Sequence, residues 1–380
     1  MRALALNAGS STLKAALYEV QPRMALGAPP DPCWKDEVRW DPTRSGAAAE
    51  EMLQRLGTNH RVDVVGHRIV HGGARFRNPE RLTSEVKAVV ASLAASAPLH
   101  NAAALQGVAV AERLVGDETP QVGVFDTAFH ADLPLAAHAY PGPREWLERG
   151  LRRFGFHGIN HEFAAHRAAE VLGRPLPELR LITCHLGSGC SLAAVRGGRS
   201  VDTTMGFTPL EGLVMGTRSG SLDPGLLLHL LREPGASVDA VDALLNHESG
   251  LRGLSGLSGD LRDVLAARGR GDDAAGLAFD VYIHRLRFHI GAMLPALEGL
   301  DAIVFTAGAG EHAAWVRAAA LAPFPFLGVE LDPKRNEDAR ADADIASDRS
   351  AVRVLVIRAR EEWAIARAAA RVVDDSAAER

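Results

Sequence analysis

The sequence is poor in the residues that mark several large classes of protein. It has three cysteines among 380 residues, which provide neither a disulfide framework nor the spacing of a zinc site. The net charge is -5 and no cluster of basic residues is interleaved with aromatic residues, which argues against binding to nucleic acid. No apolar run approaches the ~20 residues of a membrane span, and the N-terminal segment lacks the extended apolar region of a secretion signal. We therefore expect a cytoplasmic globular protein that binds neither nucleic acid nor a membrane.

Lysine is scarce as well, because only four of the 42 basic residues are lysine. We interpret this bias as that of a GC-rich genome, so the many arginines and alanines carry little functional information. A lysine next to a glycine-rich and serine-rich turn is more informative. Lys14 stands in such a place.

The length and the hydrophobic content, 380 residues and 47%, favour two domains, each with its own core. Short apolar strands alternate with helical patterns, which indicates an α/β protein. The predicted strands are 4–6, 62–65, 122–125, 181–184, 302–306 and 352–357, and the predicted helices are 47–56, 84–95, 102–114, 161–172, 274–297 and 361–373. We interpret residues 21–45, which are rich in proline, glycine and aspartate, as a surface excursion.

A weak internal repeat underlies this organisation. The segments LALNAGSSTLKAAL (4–17) and LITCHLGSGCSLAAV (181–195) share an apolar strand, a glycine-serine turn and a second apolar strand, with one inserted residue. The repeat predicts two related domains that each begin with a hairpin.

The first of these turns, NAGSST, lacks the Walker pattern, and the apolar alternation after it predicts a second strand rather than a helix. Backbone N–H groups and hydroxyls in such a turn can converge on a phosphate, and Lys14 adds a positive charge. An ordinary hairpin with solvated polar residues fits this stretch alone equally well.

Polar residues cluster at the ends of other predicted strands. His67, Arg68 and His71 occur in VGHRIVHGG, and Asp126 ends a strand in VFDTAFH, where α/β sheets present catalytic carboxylates. In APLHN, Asn101 could simply be a helix N-cap. Each cluster has a purely structural explanation, but the three together favour a functional site.

Two further segments are unusual. In FGFHGINH, His157 and His161 have the spacing of metal ligands, but Gly158 lies between them and Asn160 is predicted to cap the next helix. The segment 202–225 is rich in glycine, serine and threonine around Arg218. It is too apolar for a linker and too irregular for a helix or strand, which is typical of an active-site wall.

In combination these motifs resemble the acetokinase family, which contains acetate, propionate and butyrate kinases. The motifs follow the family order over roughly residues 1 to 370: NAGSSTLK, GHRIVHGG, APLHN, FDTAFH, FGFHG, TCHLGSG, MGFTPLEGLVMGTRSGS, GLSGLSGDLRD and FTAGAGE. The resemblance implies a duplicated actin-like ATPase fold of the sugar kinase and heat-shock ATPase superfamily, with two domains around a nucleotide cleft. Residues 1–130 with 363–380 would form the N-terminal domain and 131–362 the nucleotide-binding C-terminal domain. It also implies a homodimer.

The implied reaction is reversible phosphoryl transfer from ATP to acetate, giving acetyl phosphate and ADP, with Mg²⁺ as the metal and Mn²⁺ as a substitute. The resemblance assigns catalysis to Arg68, Asp126, His157 and Arg218, and metal binding to Asn7 and Glu361. It assigns carboxylate binding to Arg68, Val70, Leu99, His100, Phe156 and Pro209. It assigns nucleotide binding to Lys14, His185, Leu186, Gly187, Ser188, Gly189, Asp260, Leu261, Arg262, Gly308, Ala309, Gly310 and His312.

The sequence departs from the usual family pattern near the nucleotide. Ser188 and His312 stand where asparagine is usual, Leu261 where an aromatic residue is common, and Ala359–Arg360 where Thr-Asn is usual. A propionate or other short-chain acyl kinase, or another phosphate donor, is therefore the main alternative. A non-catalytic nucleotide-binding regulatory protein is a minor one, because it would have no need of Arg68 and Arg218.

Overall fold

A computed structural model describes residues 1–9, 12–21, 24–39, 45–57, 60–93 and 98–378, and the side chains of all of these except 45, 98–100 and 377–378. Contacts within the chain group it into two compact units. The first unit comprises Met1–Ala131, Phe156–Arg167 and Ala359–Arg380, and the second unit comprises Asp132–Gly155 and Ala168–Arg358.

The secondary structure alternates between strands and helices, as expected. The strands are β1 (Arg2–Ala8), β2 (Thr12–Glu19), β3 (Trp34–Arg39), β4 (Val64–Ile69), β5 (Glu80–Arg81), β6 (Gln121–Phe125), β7 (Arg180–Leu186), β8 (Cys190–Arg196), β9 (Arg199–Thr203), β10 (Ala302–Thr306), β11 (Ala343–Asp344) and β12 (Arg353–Ile357). The α-helices are α1 (Ser45–Leu56), α2 (Ser84–Ser92), α3 (Pro98–Val115), α4 (Leu135–His138), α5 (Arg144–Glu148), α6 (Gly158–Leu172), α7 (Pro224–Leu230), α8 (Val238–His247), α9 (Gly250–Ser255), α10 (Leu261–Gly269), α11 (Asp273–Leu297), α12 (Ala307–His312), α13 (Ala314–Leu321), α14 (Pro333–Glu337) and α15 (Glu361–Ala378).

The first unit contains a sheet with the strand order β3-β2-β1-β4-β6-β5. Strands β1, β4 and β6 are parallel, while β2, β3 and β5 pair antiparallel with their neighbours. The interior residues of β1 are all buried, which is typical of a strand covered on both faces. Helix α15 lies close to β4, since a Cβ on Gly66 would lie 2.8 Å from Ile365.

The second unit repeats this arrangement with the order β11-β12-β10-β7-β8-β9. Strands β7, β10 and β12 are parallel, and β8, β9 and β11 pair antiparallel with their neighbours. Each strand of one sheet therefore has a counterpart with the same neighbours and direction in the other. The duplication predicted from the two hairpin sequences is confirmed.

Some local predictions were wrong. The excursion at 21–45 contains an edge strand, β3, that pairs with β2. Helix α6 begins at Gly158 and α3 at Pro98, so Asn160 and Asn101 lie inside their helices rather than at the N-cap. Both side chains are fully buried, so they act in the interior of the fold instead.

The contact-based division also differs from the predicted domain boundaries, 1–130 with 363–380 and 131–362. It places Phe156–Arg167 and Ala359–Glu362 in the first unit. The Gly158 N–H donates to the Asp126 carbonyl at 2.9 Å, and the rings of His161 and His130 pack 5.7 Å apart. These contacts hold the start of α6 on the first sheet.

Among the described residues, no helix is both long enough and apolar enough to cross a bilayer.

Candidate active site

Three polar side chains of the first unit meet where its parallel strands end. Asn7 lies near the end of β1, Arg68 near the end of β4, and Asp126 directly follows β6. Because the carboxyl ends of parallel strands lie at one edge of a sheet, residues far apart in sequence are brought together there. The structure therefore joins two of the four predicted catalytic residues and one predicted metal ligand.

Arg68 and Asp126 form a buried ion pair. The Arg68 Nη2 and Nε donate to Asp126 Oδ2 at 2.5 and 3.0 Å, and the two side chains are 10% and 1% exposed. Burial by itself lowers the pKa of Arg68, but the carboxylates of Asp126, Glu361 and Glu362 raise it by more than burial lowers it. The pKa is therefore above its usual value and the guanidinium stays charged. Burial also raises the pKa of Asp126, and the charge of Arg68 opposes this shift.

Asn7 connects this pair to the start of α15. Its Oδ1 accepts from Arg68 Nη1 at 3.3 Å, and its Nδ2 donates to Glu361 Oε2 and to Glu362 Oε1, both at 2.8 Å. Burial and the neighbouring charge of Glu361 raise the pKa of Glu362. Glu362 was missed by the sequence analysis, although its position beside Glu361 was a signal that it shares the site.

His157 immediately precedes α6 and has a left-handed backbone, with φ of 57°. This conformation is unusual for a residue other than glycine and indicates that the surroundings fix it. The next residue must be glycine, because a Cβ on Gly158 would lie 2.2 Å from the Asp126 carbonyl oxygen. His157 is thus tied to the same strand end as Asp126.

The predicted acyl-binding residues of the first unit lie close to this region. Val70 is 5% and Phe156 1% exposed; the Phe156 ring packs edge-on against His71 with centroids 5.4 Å apart. Asn101 fixes His71, because its Oδ1 accepts from the His71 N–H at 3.1 Å and its Nδ2 donates to the His71 carbonyl at 3.0 Å. The side chains of Leu99 and His100, also predicted here, lie outside the described part of the structure.

Lys14 lies on β2 directly opposite Asn7 and its side chain is exposed. The turn before it is closed by a 2.8 Å hydrogen bond from the Gly9 N–H to the Thr12 carbonyl. Ser10 and Ser11 lie outside the described residues. The hairpin was predicted correctly.

In the second unit, the predicted phosphate turn connects β7 to β8. His185 and Leu186 are buried at the end of β7, Ser188 is exposed at the tip of the turn, and Gly189 is buried. The Gly187 N–H donates to the Gly189 carbonyl at 3.1 Å. Such a turn presents backbone groups rather than charged side chains.

The predicted segment 308–312 lies in α12, which directly follows β10. A Cβ on Gly308 would lie 3.6 Å from the Leu186 carbonyl oxygen, and one on Gly310 would lie 3.6 Å from that of Cys184. Gly308, Ala309 and Gly310 therefore lie beside the end of β7, whereas His312 is exposed at the end of α12.

Arg317 also supports α12 and was not anticipated from the sequence. It is 1% exposed and donates to the carbonyls of Gly310 and Glu311, both at 2.9 Å. Burial lowers the pKa of Arg317 to about 10.

Asp260, Leu261 and Arg262 lie at the start of α10, where the Asp260 side chain accepts from the Arg262 N–H at 2.9 Å. Arg262 is largely exposed and its guanidinium pairs with Asp260 at 2.5 Å. The preceding Gly259 touches the segment that carries Arg218, since a Cβ on Gly216 would lie 2.7 Å from the Gly259 carbonyl oxygen.

Arg218 lies in an irregular segment between β9 and α7, as predicted. Its Nη1 donates to the Pro209 carbonyl at 3.0 Å, and the backbone beside it is fixed by hydrogen bonds from Gly216 N to Ser188 O at 3.0 Å and from Ser249 N to Thr217 O at 3.0 Å. The second unit thus brings together the β7–β8 turn, the start of α10 and the Arg218 segment.

The topology and the strand-end residues define a duplicated actin-like ATPase fold. The sequence model of the Acetokinase family matches residues 44–367, and the chain belongs to this family. It is 52% identical to an acetate kinase of Gloeobacter violaceus, with 97% of this chain and 98% of the relative covered.

Solved structures agree with this assignment. An acetate kinase of Porphyromonas gingivalis superimposes with a TM-score of 0.85 at 36% identity, covering 98% of this chain and 99% of the other. A propionate kinase of Francisella tularensis gives a TM-score of 0.85 at 32% identity, with the same coverage.

Proposed function

We propose that the protein is an acetate kinase that transfers the γ-phosphoryl group of ATP reversibly to acetate. The single observation that carries the proposal is the buried Arg68–Asp126 pair at the strand ends of an acetokinase-family chain. A carboxylate substrate is already ionised at neutral pH, so the reaction requires alignment and charge stabilisation more than a general base. A guanidinium that stays charged in a buried position provides such stabilisation.

In this proposal an acetate oxygen attacks the γ-phosphorus while the bond to the bridging oxygen of ADP breaks. Arg68 binds the acetate carboxylate, and its orientation is set by Asp126 and Asn7. Arg218 and His157 donate hydrogen bonds to the phosphoryl oxygens in the transition state. His100 and His185 support the carboxylate and phosphate positions, respectively.

The nucleotide would bind through the glycine-rich elements of the second unit. The support is that Gly187, Gly308 and Gly310 leave backbone close to the end of β7 without side chains in the way, as phosphate-binding loops require. Asp260, Leu261 and Arg262 would contact the nucleoside, and Lys14 would add charge at the phosphates.

We further propose that Mg²⁺ binds beside Asn7. The donor set fits this hard cation, because Asn7, Glu361 and Glu362 supply an amide and two carboxylates, and Mg²⁺ uses one or two carboxylates while keeping several waters. Burial and, after it, the neighbouring charge of Glu361 raise the pKa of Glu362, and a bound cation would favour its ionised form. The ion would neutralise charge on the nucleotide phosphates, and Mn²⁺ would substitute for it.

The carboxylate preference follows from the predicted acyl pocket. Val70, Leu99, Phe156 and Pro209 are apolar and bulky, which suits the methyl group of acetate. One additional methylene changes binding by only ~1–3 kcal/mol, so we expect propionate to be a weaker substrate. The similarity to a propionate kinase of known structure makes propionate the second candidate.

A hydroxamate trap assay tests the proposal directly. The purified protein is incubated with acetate, propionate or butyrate and with ATP, GTP or pyrophosphate, with and without Mg²⁺. We expect acyl hydroxamate with acetate and ATP, less with propionate, and none without the metal. Failure to phosphorylate any carboxylate with any donor would refute the proposal.

The resemblance also supports a cytoplasmic homodimer. Light scattering during gel filtration would test the assembly, since a dimer of the 40.4 kDa chain is readily distinguished from a monomer.

A further inference from the structure

A polar cluster in the second unit lies outside the residues assigned so far. It consists of Tyr140, Arg153 and Glu211, and we call it the Glu211 cluster. Glu211 belongs to the irregular segment after β9, whereas Tyr140 and Arg153 lie between α4 and α6, on either side of the short helix α5. The cluster therefore joins two segments without regular structure at this point.

Arg153 binds the backbone at the end of β9 and in the segment after it. Its Nη1 donates to the carbonyls of Thr203, Thr204 and Met205, each at 3.0 Å, and its Nη2 donates to Glu211 Oε1 at 2.6 Å. The Arg153 and Glu211 side chains are only 17% and 32% exposed. One guanidinium thus fixes three consecutive carbonyls at the end of β9 and in the irregular segment that follows it.

Tyr140 fixes the next part of the same segment. Its hydroxyl donates to Glu211 Oε2 and accepts from the Phe207 N–H at 2.8 Å. Burial and the charge of Glu211 raise the pKa of Tyr140, so the hydroxyl keeps its proton.

Gly206 shows how closely these groups pack. A Cβ there would lie 1.7 Å from Glu211 Oε2 and 2.2 Å from the Tyr140 hydroxyl. The backbone itself therefore forms one wall of the cluster, and a side chain at this position would displace the carboxylate.

The segment held in this way leads to Arg218. Pro209 lies between Phe207 and Glu211, and its carbonyl accepts from Arg218 Nη1 at 3.0 Å. Both ends of the turn that offers this carbonyl are anchored by the Glu211 cluster. Small displacements of a catalytic guanidinium are costly, because misplacement by ~1 Å can reduce a rate about 100-fold.

We propose that Glu211 is a positioning residue that acts through Tyr140 and Arg153 to fix the Pro209 carbonyl and thereby the direction of the Arg218 guanidinium. The catalytic part of this inference rests on the proposed function. An ion pair that is also fully hydrogen-bonded selects one backbone geometry, whereas apolar packing alone would tolerate several. The role is distinct from contact with substrate.

The test uses Tyr140→Phe and Glu211→Gln. The first removes only the hydroxyl, and the second keeps the size of residue 211 but removes its charge. Asp344→Asn is the matched control, because Asp344 pairs with Arg353 at 2.7 Å with exposures of 28% and 27% at the edge strand β11. Hydrogen exchange of peptides covering 203–212, thermal unfolding and full kinetics are measured for each.

We expect faster exchange at 203–212 in both variants, with unfolding temperatures no lower than that of Asp344→Asn. The kcat should fall at least about tenfold while the KM values for the carboxylate and for ATP both stay within about twofold, because Arg218 is proposed to act on the phosphoryl group in the transition state. Wild-type exchange and kinetics in Tyr140→Phe would overturn the inference. So would activity losses that merely follow a lower unfolding temperature.

The two proposals fail in different ways. If the wild-type protein phosphorylates no carboxylate, the proposed function fails, and the exchange data still test whether the cluster orders the segment. If the wild-type protein is active and exchange at 203–212 is unchanged in both variants, only the positioning role fails.

Discussion

The corresponding strand ends of the two sheets carry different chemistry. In the first unit, Asn7 and Arg68 lie next to the ends of β1 and β4 and Asp126 follows β6, and Arg68 binds both of the others. In the second unit, His185 lies next to the end of β7 and Thr306 ends β10, and each of these strands is followed by a glycine-containing segment, while Arg358 follows β12. The same scaffold therefore presents a buried ion pair at the strand ends of one copy and glycine-containing segments after two strands of the other.

The two hairpins show the same difference at equivalent positions. In the first, Asn7 faces Lys14 in the second pair from the turn, and Lys14 is exposed. In the second, His185 faces Ser191 in that position, and both are buried. Duplication preserved the backbone pairing, while the side chains near the turn diverged. This difference favours different roles for the two hairpins, with side-chain charge near the first turn and backbone groups at the second.

The largest expected effects on activity are those of replacing Arg68 and Arg218, and stability should distinguish the two variants. Arg68→Ala and Arg218→Ala should each reduce kcat/KM by about 10³ or more, because each removes a charge expected to act in the transition state. Only Arg68→Ala should also lower the free energy of unfolding, by about 3 kcal/mol, since it leaves Asp126 buried without its counterion. Kinetics and thermal unfolding of both variants measure this.

The control for this prediction is the double variant Arg68→Ala/Asp126→Ala, which should regain stability but not activity. Near-normal turnover in Arg218→Ala would remove Arg218 from the mechanism. Equal stability losses in the two single variants would contradict the contrast between the units.

The sequence was sufficient for the parts of the fold that depend on local patterns. The alternation after NAGSST predicted the hairpin, and the resemblance of residues 4–17 to 181–195 predicted the duplication that the sheets confirm. Arg68 and Asp126 could each be proposed as site residues because each lies at a predicted strand end, but their ion pair was not anticipated. These inferences needed only periodicity and the rule that strand ends meet.

The remaining features depend on tertiary contacts that periodicity does not encode. Asn101 and Asn160 were interpreted as caps, because the propensity of asparagine for N-caps is local, whereas their burial is set by distant residues. Glu211 accepts hydrogen bonds from the side chains of Arg153 and Tyr140, and Arg317 donates to backbone carbonyls. No spacing in the sequence predicts such partners.

The next effect concerns acid stability. Burial lowers the pKa of His67 in the first unit and of His289 in the second from 6.5 to about 4. Each imidazole must stay neutral in the folded state. Its contribution to the free energy of unfolding is therefore fully present above pH 6.5 and is lost as the pH falls towards 4. For one such group the loss at pH 5 is about 2 kcal/mol.

His67→Gln and His289→Gln should each reduce this acid sensitivity, as measured by thermal unfolding between pH 7.5 and 5. His229→Gln is the control, because His229 is largely exposed. If one variant alone flattens the profile, the two units differ in acid stability. If neither does, burial of these imidazoles does not govern it.

A smaller effect is expected for the exposed lysine of the first hairpin. If Lys14 adds charge near the transferred phosphoryl group, Lys14→Ala should keep its unfolding temperature but lose about tenfold in kcat/KM, or about 1.4 kcal/mol. Asn7→Ala should also raise the Mg²⁺ concentration needed for activity. Kinetics over a magnesium titration measure both.

Lys35→Ala is the matched control, since Lys35 is exposed on the adjacent strand β3. Wild-type kinetics in both Lys14→Ala and Asn7→Ala would mean that this hairpin is purely structural. The charged site of the first unit would then consist of Arg68, Asp126, Glu361 and Glu362.

The smallest effect tests whether the first unit also sets the carboxylate preference. Val70 is 5% exposed directly after β4, two residues from Arg68, so its side chain is predicted to limit the length of a carboxylate held by that guanidinium. Val70→Ala removes about two methyl groups and should shift the ratio of kcat/KM for propionate to that for acetate upwards by about fivefold, close to 1 kcal/mol. Val65→Ala shortens a fully buried valine of the same strand and should cost stability without changing the ratio. If Val70→Ala also leaves the ratio unchanged, the acyl group is not limited by Val70, and Pro209 of the second unit becomes the residue to vary.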